Sequence, residues 1–106
     1  MKTLVKLVLP VAMLVSAPVF ADTALANKNG CMACHASDKK LVGPSFQDVA
    51  KKYAGDAGAA AKLADKIKTG GKGAWGPVPM PPHPQISDAD RKTLAEWVLK
   101  IGRAHV

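Results

Sequence analysis

The sequence predicts an all-α fold of four short helices joined by long loops, and three observations support this. Apolar residues recur every three or four positions in four segments, as on one face of a helix. No stretch alternates Val, Ile, Thr or aromatic residues with polar ones over the length of a strand. The chain of 106 residues is also too short for two independent domains.

The first two helices have recognisable ends. Asp22 or Thr23 is suited to cap a first helix, which is predicted to end at Gly30. Ser45 is suited to cap a second helix, and Asp48 occupies the position of the acidic partner in a capping box. The apolar face of the second helix consists of Phe46, Val49, Ala50 and Tyr53.

The third and fourth helices are predicted in the second half of the chain. The third covers residues 57–69, is rich in alanine, and ends at Gly70. The fourth follows Ser87 as its cap and has Asp88 and Asp90 in its first turn, where the helix dipole favours anions. Gly102 is its predicted stop. Its apolar stripe consists of Leu94, Trp97, Val98 and Ile101.

The first 21 residues have the pattern of a secretory signal peptide. Lys2 and Lys6 precede an apolar run at 7–15, and small residues lead up to a predicted cleavage site after Ala21, with Ala17 as the alternative. The apolar stretch is shorter than the roughly 20 residues that a membrane-spanning helix needs. We therefore expect a cleaved signal peptide at 1–21 and one mature domain at 22–106.

Composition indicates that side chains alone do not complete the core. The two cysteines exclude a multi-bridge disulfide scaffold and a four-cysteine zinc site. Domains of this size rarely obtain more than about 3–5 kcal/mol of net stability from one hydrophobic core. We therefore expect a further group to fill the interior. The aromatic residues of the mature domain are Phe46, Tyr53, Trp75 and Trp97.

The clearest chemical signal is the segment CMACH at residues 31–35. Two cysteines separated by two residues and followed by histidine form the attachment signature of a c-type haem. One helical turn places both sulfur atoms and the imidazole on one side of the porphyrin. The motif predicts one haem c, attached through thioethers to Cys31 and Cys34, with His35 as an iron ligand.

Three other interpretations of the cysteine pair are weaker. A thioredoxin-like redox pair requires a βαβ pattern, which the sequence lacks. A zinc site could use Cys31, Cys34, His35 and His83, but three ligands within five residues would strain a tetrahedron. A disulfide between the two cysteines would close a very short loop and add little stability.

Met80 is the main candidate for the second axial ligand. Of the four methionines, it alone lies outside both the signal peptide and the attachment turn. Four prolines in the segment 76–82 stiffen its backbone and can hold the thioether against iron. A thioether ligand stabilises ferrous iron and raises the reduction potential. His83, in the same loop, and His105 are alternative ligands.

Four segments together resemble a known family: NGCMACH at 29–35, VGP at 42–44, GAWGPVPMPP at 73–82 and LAEWVL at 94–99. Over residues 23–101 the chain resembles the short, single-haem class I bacterial cytochromes c of the cytochrome c-551 group. The resemblance implies the small class I cytochrome c fold, in which four short helices and loops wrap around one covalently attached haem.

The resemblance also implies roles for individual residues. His35 would be the proximal iron ligand and Met80 the distal one. The carbonyl of Pro44 would accept a hydrogen bond from the His35 ring and fix its orientation. The indole N–H of Trp75 would reach a haem propionate.

Three further positions matter for the comparison. The first and last helices would cross near Gly30, where the missing side chain would allow close approach to the face that carries Trp97. Lys66 stands where several relatives have a propionate-binding arginine. His83 stands where relatives have an amide side chain near the ligand sulfur.

The predicted function is electron transfer rather than catalysis. With His35 and Met80 bound, iron would have no open position for a substrate, which suits an outer-sphere electron carrier. The resemblance implies a periplasmic protein that moves electrons from a membrane quinol-oxidising complex to a terminal reductase, peroxidase or oxidase. The alternatives are a haem enzyme or gas sensor with an open sixth position, and a Cys/His zinc-binding module.

The net charge of +7 favours redox protein partners with acidic docking surfaces. Dispersed lysines on an exported chain argue against nucleic acid, and we expect a monomer without stable membrane insertion after signal cleavage. Because the cofactor would fill the core, we expect the haem-free domain to be largely unfolded. The lysines predicted to surround the haem edge are Lys28, Lys39, Lys40, Lys51, Lys52, Lys62, Lys66, Lys68 and Lys72.

Overall fold

The computed structural model describes residues 19–103, and this range is helical with no β-strand. Isolated antiparallel bridges join His35 to Lys40 and Gly71 to Met80. No helix within the range is long and apolar enough to cross a membrane. The all-α prediction is confirmed. The helices are α1 (Val19–Lys28), α2 (Phe46–Lys52), α3 (Ala59–Thr69) and α4 (Asp88–Arg103), with a 3₁₀ turn at Cys31–Ala33.

Three helix ends differ from the sequence prediction, and the smallest difference is that α3 begins at Ala59, two residues after its predicted start. Helix α1 begins at Val19, before the predicted cap at Asp22, so its first residues belong to the predicted signal peptide. The rest of that peptide lies outside the described residues, and the cleavage site after Ala21 stays a prediction. Helix α4 continues through Gly102 to Arg103, so the predicted stop is wrong. Glycine lowers helix propensity by about 1 kcal/mol, but it ends a helix only when its backbone leaves the helical region.

The predicted serine caps are confirmed for α2 and α4. The hydroxyl oxygen of Ser45 accepts a hydrogen bond from the backbone N–H of Asp48 at 3.1 Å. The hydroxyl oxygen of Ser87 accepts one from the backbone N–H of Asp90, also at 3.1 Å. Each bond satisfies one of the free N–H groups at a helix start and fixes where that helix begins.

The core lies where α4 packs against α2 and the other helices. The Phe46 and Trp97 rings meet edge to face, with centroids 5.3 Å apart. On its other side, Phe46 stacks on the imidazole of His35 at a centroid distance of 5.3 Å. The core is therefore continuous with the motif histidine. The central cluster of buried residues is Ala26, Phe46, Ile86, Leu94 and Trp97.

The close approach of α1 to the core is made at Ala26, not at Gly30 as predicted. Ala26 is fully buried in the cluster that contains Trp97. Around Gly30, no atom lies within 4 Å of the place where a Cβ would stand, so no helix is packed against it. Gly30 instead adopts φ +74°, a left-handed conformation that L-residues rarely adopt, at the start of the Cys31–Ala33 turn.

Candidate functional site

An apolar cavity is lined by side chains from all four helices and from the loops between them. Phe46, Leu94 and Trp97 belong both to the core cluster and to the cavity wall. The hydrophobic core is therefore continuous with the wall of this cavity. The sequence-predicted site residues that line the cavity are Cys31, Cys34, His35, Pro44, Trp75 and Met80.

The two motif cysteines lie at the start of this wall as free, half-buried thiols. The 3₁₀ turn carries them there, and the carbonyl of Cys31 accepts a hydrogen bond from the backbone N–H of His35 at 3.0 Å. Burial raises the pKa of the Cys31 thiol, and the nearby Cys34 adds to the rise. Burial therefore favours the protonated form of the Cys31 thiol.

The His35 imidazole is held in one orientation by its surroundings. Its Nδ1 lies 2.7 Å from the carbonyl oxygen of Pro44, the contact that the family resemblance implies. Because a carbonyl only accepts hydrogen bonds, Nδ1 must be the donor in this contact. In the neutral imidazole this leaves the lone pair on Nε2, the nitrogen that can bind a metal. The stacked ring of Phe46 supports the imidazole from the side.

Gly43 gives the imidazole the space that it occupies. A Cβ at this position would stand 2.6 Å from Cε1 and 3.0 Å from Nδ1 of His35. The Gly43 backbone is also held next to the imidazole, since its N–H donates to the carbonyl of Cys34, the residue before His35, at 2.7 Å. In the sequence, this glycine is marked only by its place in the family segment at 42–44. Its contact with His35 is tertiary, and no periodicity could have revealed it.

We expect Gly43→Ala to displace the His35 ring and to destabilise the haem-loaded protein by about 1–3 kcal/mol, a typical cost of overpacking. Denaturant unfolding followed by haem absorbance measures the loss. Gly58→Ala is a matched control, because the nearest atom would lie 3.4 Å from its Cβ and its φ of −92° accepts alanine. The control should lose less than about 1 kcal/mol. Equal losses in the two variants would contradict the steric role of Gly43.

Met80 is fixed by a short backbone ladder at the base of its loop. The Met80 N–H donates to the carbonyl of Gly71 at 2.7 Å, and the Gly71 N–H donates back to the Met80 carbonyl at 3.2 Å. Gly70, with φ +72°, turns the chain out of α3 into this ladder. The half-buried Met80 side chain lines the same cavity as the motif residues.

Of the two rival histidine ligands, His83 is not brought into the cavity. The side chain of His83 does not line it, and its Nδ1 is buried without a hydrogen-bond partner. The His83 backbone instead closes the end of α3, where its N–H donates to the carbonyl of Ile67 at 2.9 Å. His105 lies outside the described residues. Within the part of the chain that the structure covers, no group of three His, Cys, Asp or Glu residues could hold a metal ion, so the alternative zinc site is not assembled.

The predicted ring of lysines is only partly present at the cavity. Lys40, Lys66 and Lys72 line it. Lys62 is instead paired with Asp56 at 2.7 Å, and Lys68 lies beside a separate groove between α3 and α4. The positive charge that faces the cavity therefore comes from a subset of the nine lysines.

The donors along the cavity fit a covalently attached haem. Two thiols within one turn suit two thioether bonds, and the imidazole offers a free Nε2. The thioether of Met80 lines the same space, and most of the remaining lining is aliphatic, aromatic or proline. These features match the donor chemistry and the apolar body of the cofactor.

Comparison with known proteins identifies the family of this chain. The family model for cytochrome c matches residues 23–102. Cytochrome c-552 of Nitrosomonas europaea is 51% identical over 90 residues, which cover 85% of this chain and 87% of that protein. Cytochrome c-551 of Azotobacter vinelandii is 63% identical over 75 residues, which cover 71% of this chain and 90% of that protein.

Solved structures agree with the sequence matches. The crystal structure of wild-type Nitrosomonas europaea cytochrome c552 is similar with a TM-score of 0.72 and 52% identity, over 74% of this chain and 98% of that one. The structure of a class 1 cytochrome from Sideroxydans lithotrophicus is similar with a TM-score of 0.70 and 35% identity, over 80% of this chain and 97% of that one. The family binds haem c covalently, and Cys31 and Cys34 fit its attachment motif. The chain therefore belongs to the cytochrome c family of electron carriers, as a class I c-type cytochrome.

Proposed function

We propose that this protein is a periplasmic electron carrier in which His35 and Met80 are the two axial ligands of the haem iron. The observation that carries the proposal is the shared cavity. The attachment thiols, the imidazole and the only methionine outside the attachment turn in the mature domain all line one apolar space. When bound, haem c supplies reversible one-electron exchange between Fe(II) and Fe(III).

The protein's own residues supply orientation and exclusion of water. Pro44 holds the imidazole by Nδ1, so the lone pair on Nε2 points away from the hydrogen bond and is free to coordinate. The ladder between Gly71 and Met80 fixes the backbone of the thioether ligand. A ligand set held this rigidly, within apolar walls, changes little in geometry between oxidation states. Little reorganisation is what a fast electron carrier requires.

A carrier is favoured over the haem enzyme or gas sensor considered from the sequence. Such activities need an open iron position, and Met80 lines the cavity in which that position would lie. Its backbone is bonded on both N–H and C=O to Gly71, so moving the ligand away would break two hydrogen bonds. Iron held by both His35 and Met80 would have no open position, which leaves electron transfer as the supported activity.

Partner docking is proposed at the edge of the same cavity. Val42 and Val78 line it and are 54% and 59% exposed, which leaves apolar surface next to the cofactor site. Lys40 and Lys72 line the same cavity. This arrangement suits a redox protein with an acidic rim and an apolar centre, and electron transfer to it should slow as salt screens the charges. The donor would be a membrane quinol-oxidising complex, and the acceptor a terminal reductase, peroxidase or oxidase.

The direct test is Met80→Ala in protein matured in an export-competent host. We expect loss of the weak ferric methionine-to-iron absorption band and a lower reduction potential, because the soft ligand that favours ferrous iron is gone. His83→Ala is the control and should keep the band, since His83 does not line the cavity. A band that survives in Met80→Ala, or disappears in His83→Ala, would show that the ligand has been misassigned.

A further inference from the structure

The loop that carries Met80 is anchored at its base, whereas its tip has few polar links to the rest of the protein. The Gly71–Met80 ladder closes the base. Within the tip, residues 72–79, the Gly73 N–H donates to the carbonyl of Gly76 at 3.0 Å, so this bond stays inside the loop. Both glycines have positive φ, and Trp75 between them is 42% exposed.

One charged contact connects this tip to a helix. The ammonium group of Lys52, in the last turn of α2, lies 4.7 Å from the centroid of the Trp75 ring. This distance is within the range of a cation–π interaction. Among the described residues, no other hydrogen bond, ion pair or ring contact joins residues 72–79 to another element.

Helix α2 is a rigid support for such a contact. Its buried residues Phe46, Val49 and Ala50 face the core, and α2 packs extensively against α4. Lys52 projects from the exposed side of the same helix. Fixing the Trp75 ring to Lys52 therefore fixes the loop tip to the most firmly packed part of the fold.

We propose that Lys52 is a positioning residue that holds the Trp75 indole at the edge of the cavity and so orders the loop that carries Met80. The proposal rests on the proposed function, because it concerns the loop that presents the distal ligand. Lys52 does not line the cavity itself, so it acts through Trp75, which does.

Hydrogen exchange in the reduced, haem-loaded protein tests this directly. In Lys52→Gln we expect the indole N–H of Trp75 and the backbone N–H groups of Gly71 and Met80 to exchange about two- to fivefold faster, the effect of losing an exposed cation–π contact. The indole N–H of Trp97, which is buried in the core, should not change.

Two lysine variants control for charge and for ring contact. Lys51→Gln removes the same charge from the preceding residue of α2, which makes no cation–π contact in the described part of the chain, and should leave these exchange rates unchanged. Lys52→Arg keeps a cation over the ring and should restore the wild-type rates. In a Trp75→Leu background, Lys52→Gln should have no further effect on Gly71 and Met80.

The outcomes separate this proposal from the one on which it rests. Unchanged exchange in Lys52→Gln, or an equal rise in Lys51→Gln, would overturn the role of Lys52. Faster exchange at Trp75 without any change at Gly71 and Met80 would overturn the link to the ligand loop. Met80 ligation is read independently from the ferric methionine-to-iron band of the wild-type protein, so its failure would leave the exchange comparison intact.

Discussion

Gly70→Ala is expected to destabilise the haem-loaded protein by about 2–4 kcal/mol and to displace the backbone of Met80. Two destabilising effects, backbone strain and a steric clash, add at this position. Gly70 has φ +72°, a conformation that strains a residue with a Cβ. The added Cβ would also stand 2.4 Å from the carbonyl oxygen of Met80, well inside contact distance.

The clash at Gly70 cannot be relieved by moving a side chain. The other near neighbours of the added Cβ are the backbone nitrogen of Pro82 and the carbonyl carbon of Pro81, at 3.0 and 3.1 Å. Proline rings restrict how this backbone can shift. The strain must therefore fall on the Gly71–Met80 ladder, which holds the proposed iron ligand. We expect a weakened ferric methionine-to-iron band together with the lower unfolding free energy.

The variant Gly73→Ala separates the backbone strain from the steric clash. Gly73 has a similar left-handed φ of +91°, yet no atom lies within 4 Å of the place of its Cβ. This variant should lose only about 1–2 kcal/mol of backbone strain and keep the full methionine-to-iron band. Denaturant unfolding and the ferric spectrum, measured on both variants, provide the comparison. Equal destabilisation, or an intact band in Gly70→Ala, would contradict the steric argument.

The sequence correctly predicts the features that depend on interactions between residues close together in the chain. Ser45 and Ser87 cap their helices because each hydroxyl oxygen accepts a bond from a backbone N–H only three residues away. The CMACH motif fixes the attachment turn for the same reason, since its ligands lie within one turn. Gly70 ends α3 because its backbone enters the left-handed region immediately after the helix.

The remaining features depend on contacts that sequence spacing does not show. Gly102 and Gly70 both match the glycine signal for the end of a helix, but Gly102 keeps a helical backbone. Ala26 performs the packing role predicted for Gly30, because composition does not distinguish a small residue beside a helix crossing from one within it. His83 is near Met80 in sequence, yet its side chain is directed elsewhere.

The same distinction explains which site residues were overlooked. The contact between Gly43 and His35 depends on how the loop after the motif folds back, and the contact between Lys52 and Trp75 joins α2 to a loop beyond α3. Outside the site, the buried Arg91 is a further feature that sequence spacing does not show. It lies in the first turns of α4 and donates to the carbonyl of Ile86 and to the carboxylate of Asp88, although arginine in a polar segment predicts an exposed side chain.

Removing the haem is expected to unfold the domain almost completely. The core residues Phe46, Leu94 and Trp97 also form the cavity wall, so each depends on the cofactor for part of its packing. No large side chain of the described range is less than 2% exposed. Deleting the packing of one large core side chain typically costs about 3–5 kcal/mol, which equals the whole net stability expected of a domain this small.

The double variant Cys31→Ser/Cys34→Ser, matured in the same export-competent host, tests this dependence because it cannot form either thioether bond. We expect no Soret absorption, weak helical circular dichroism and no cooperative thermal transition, whereas the haem-loaded protein should unfold cooperatively. Helices α2 and α4 should be lost together, since Phe46 and Trp97 join them through the wall that the cofactor supports. A cooperative transition with native helix content in the haem-free variant would show that the protein core is sufficient, and that the cavity is a preformed pocket and not the unfilled centre of the fold.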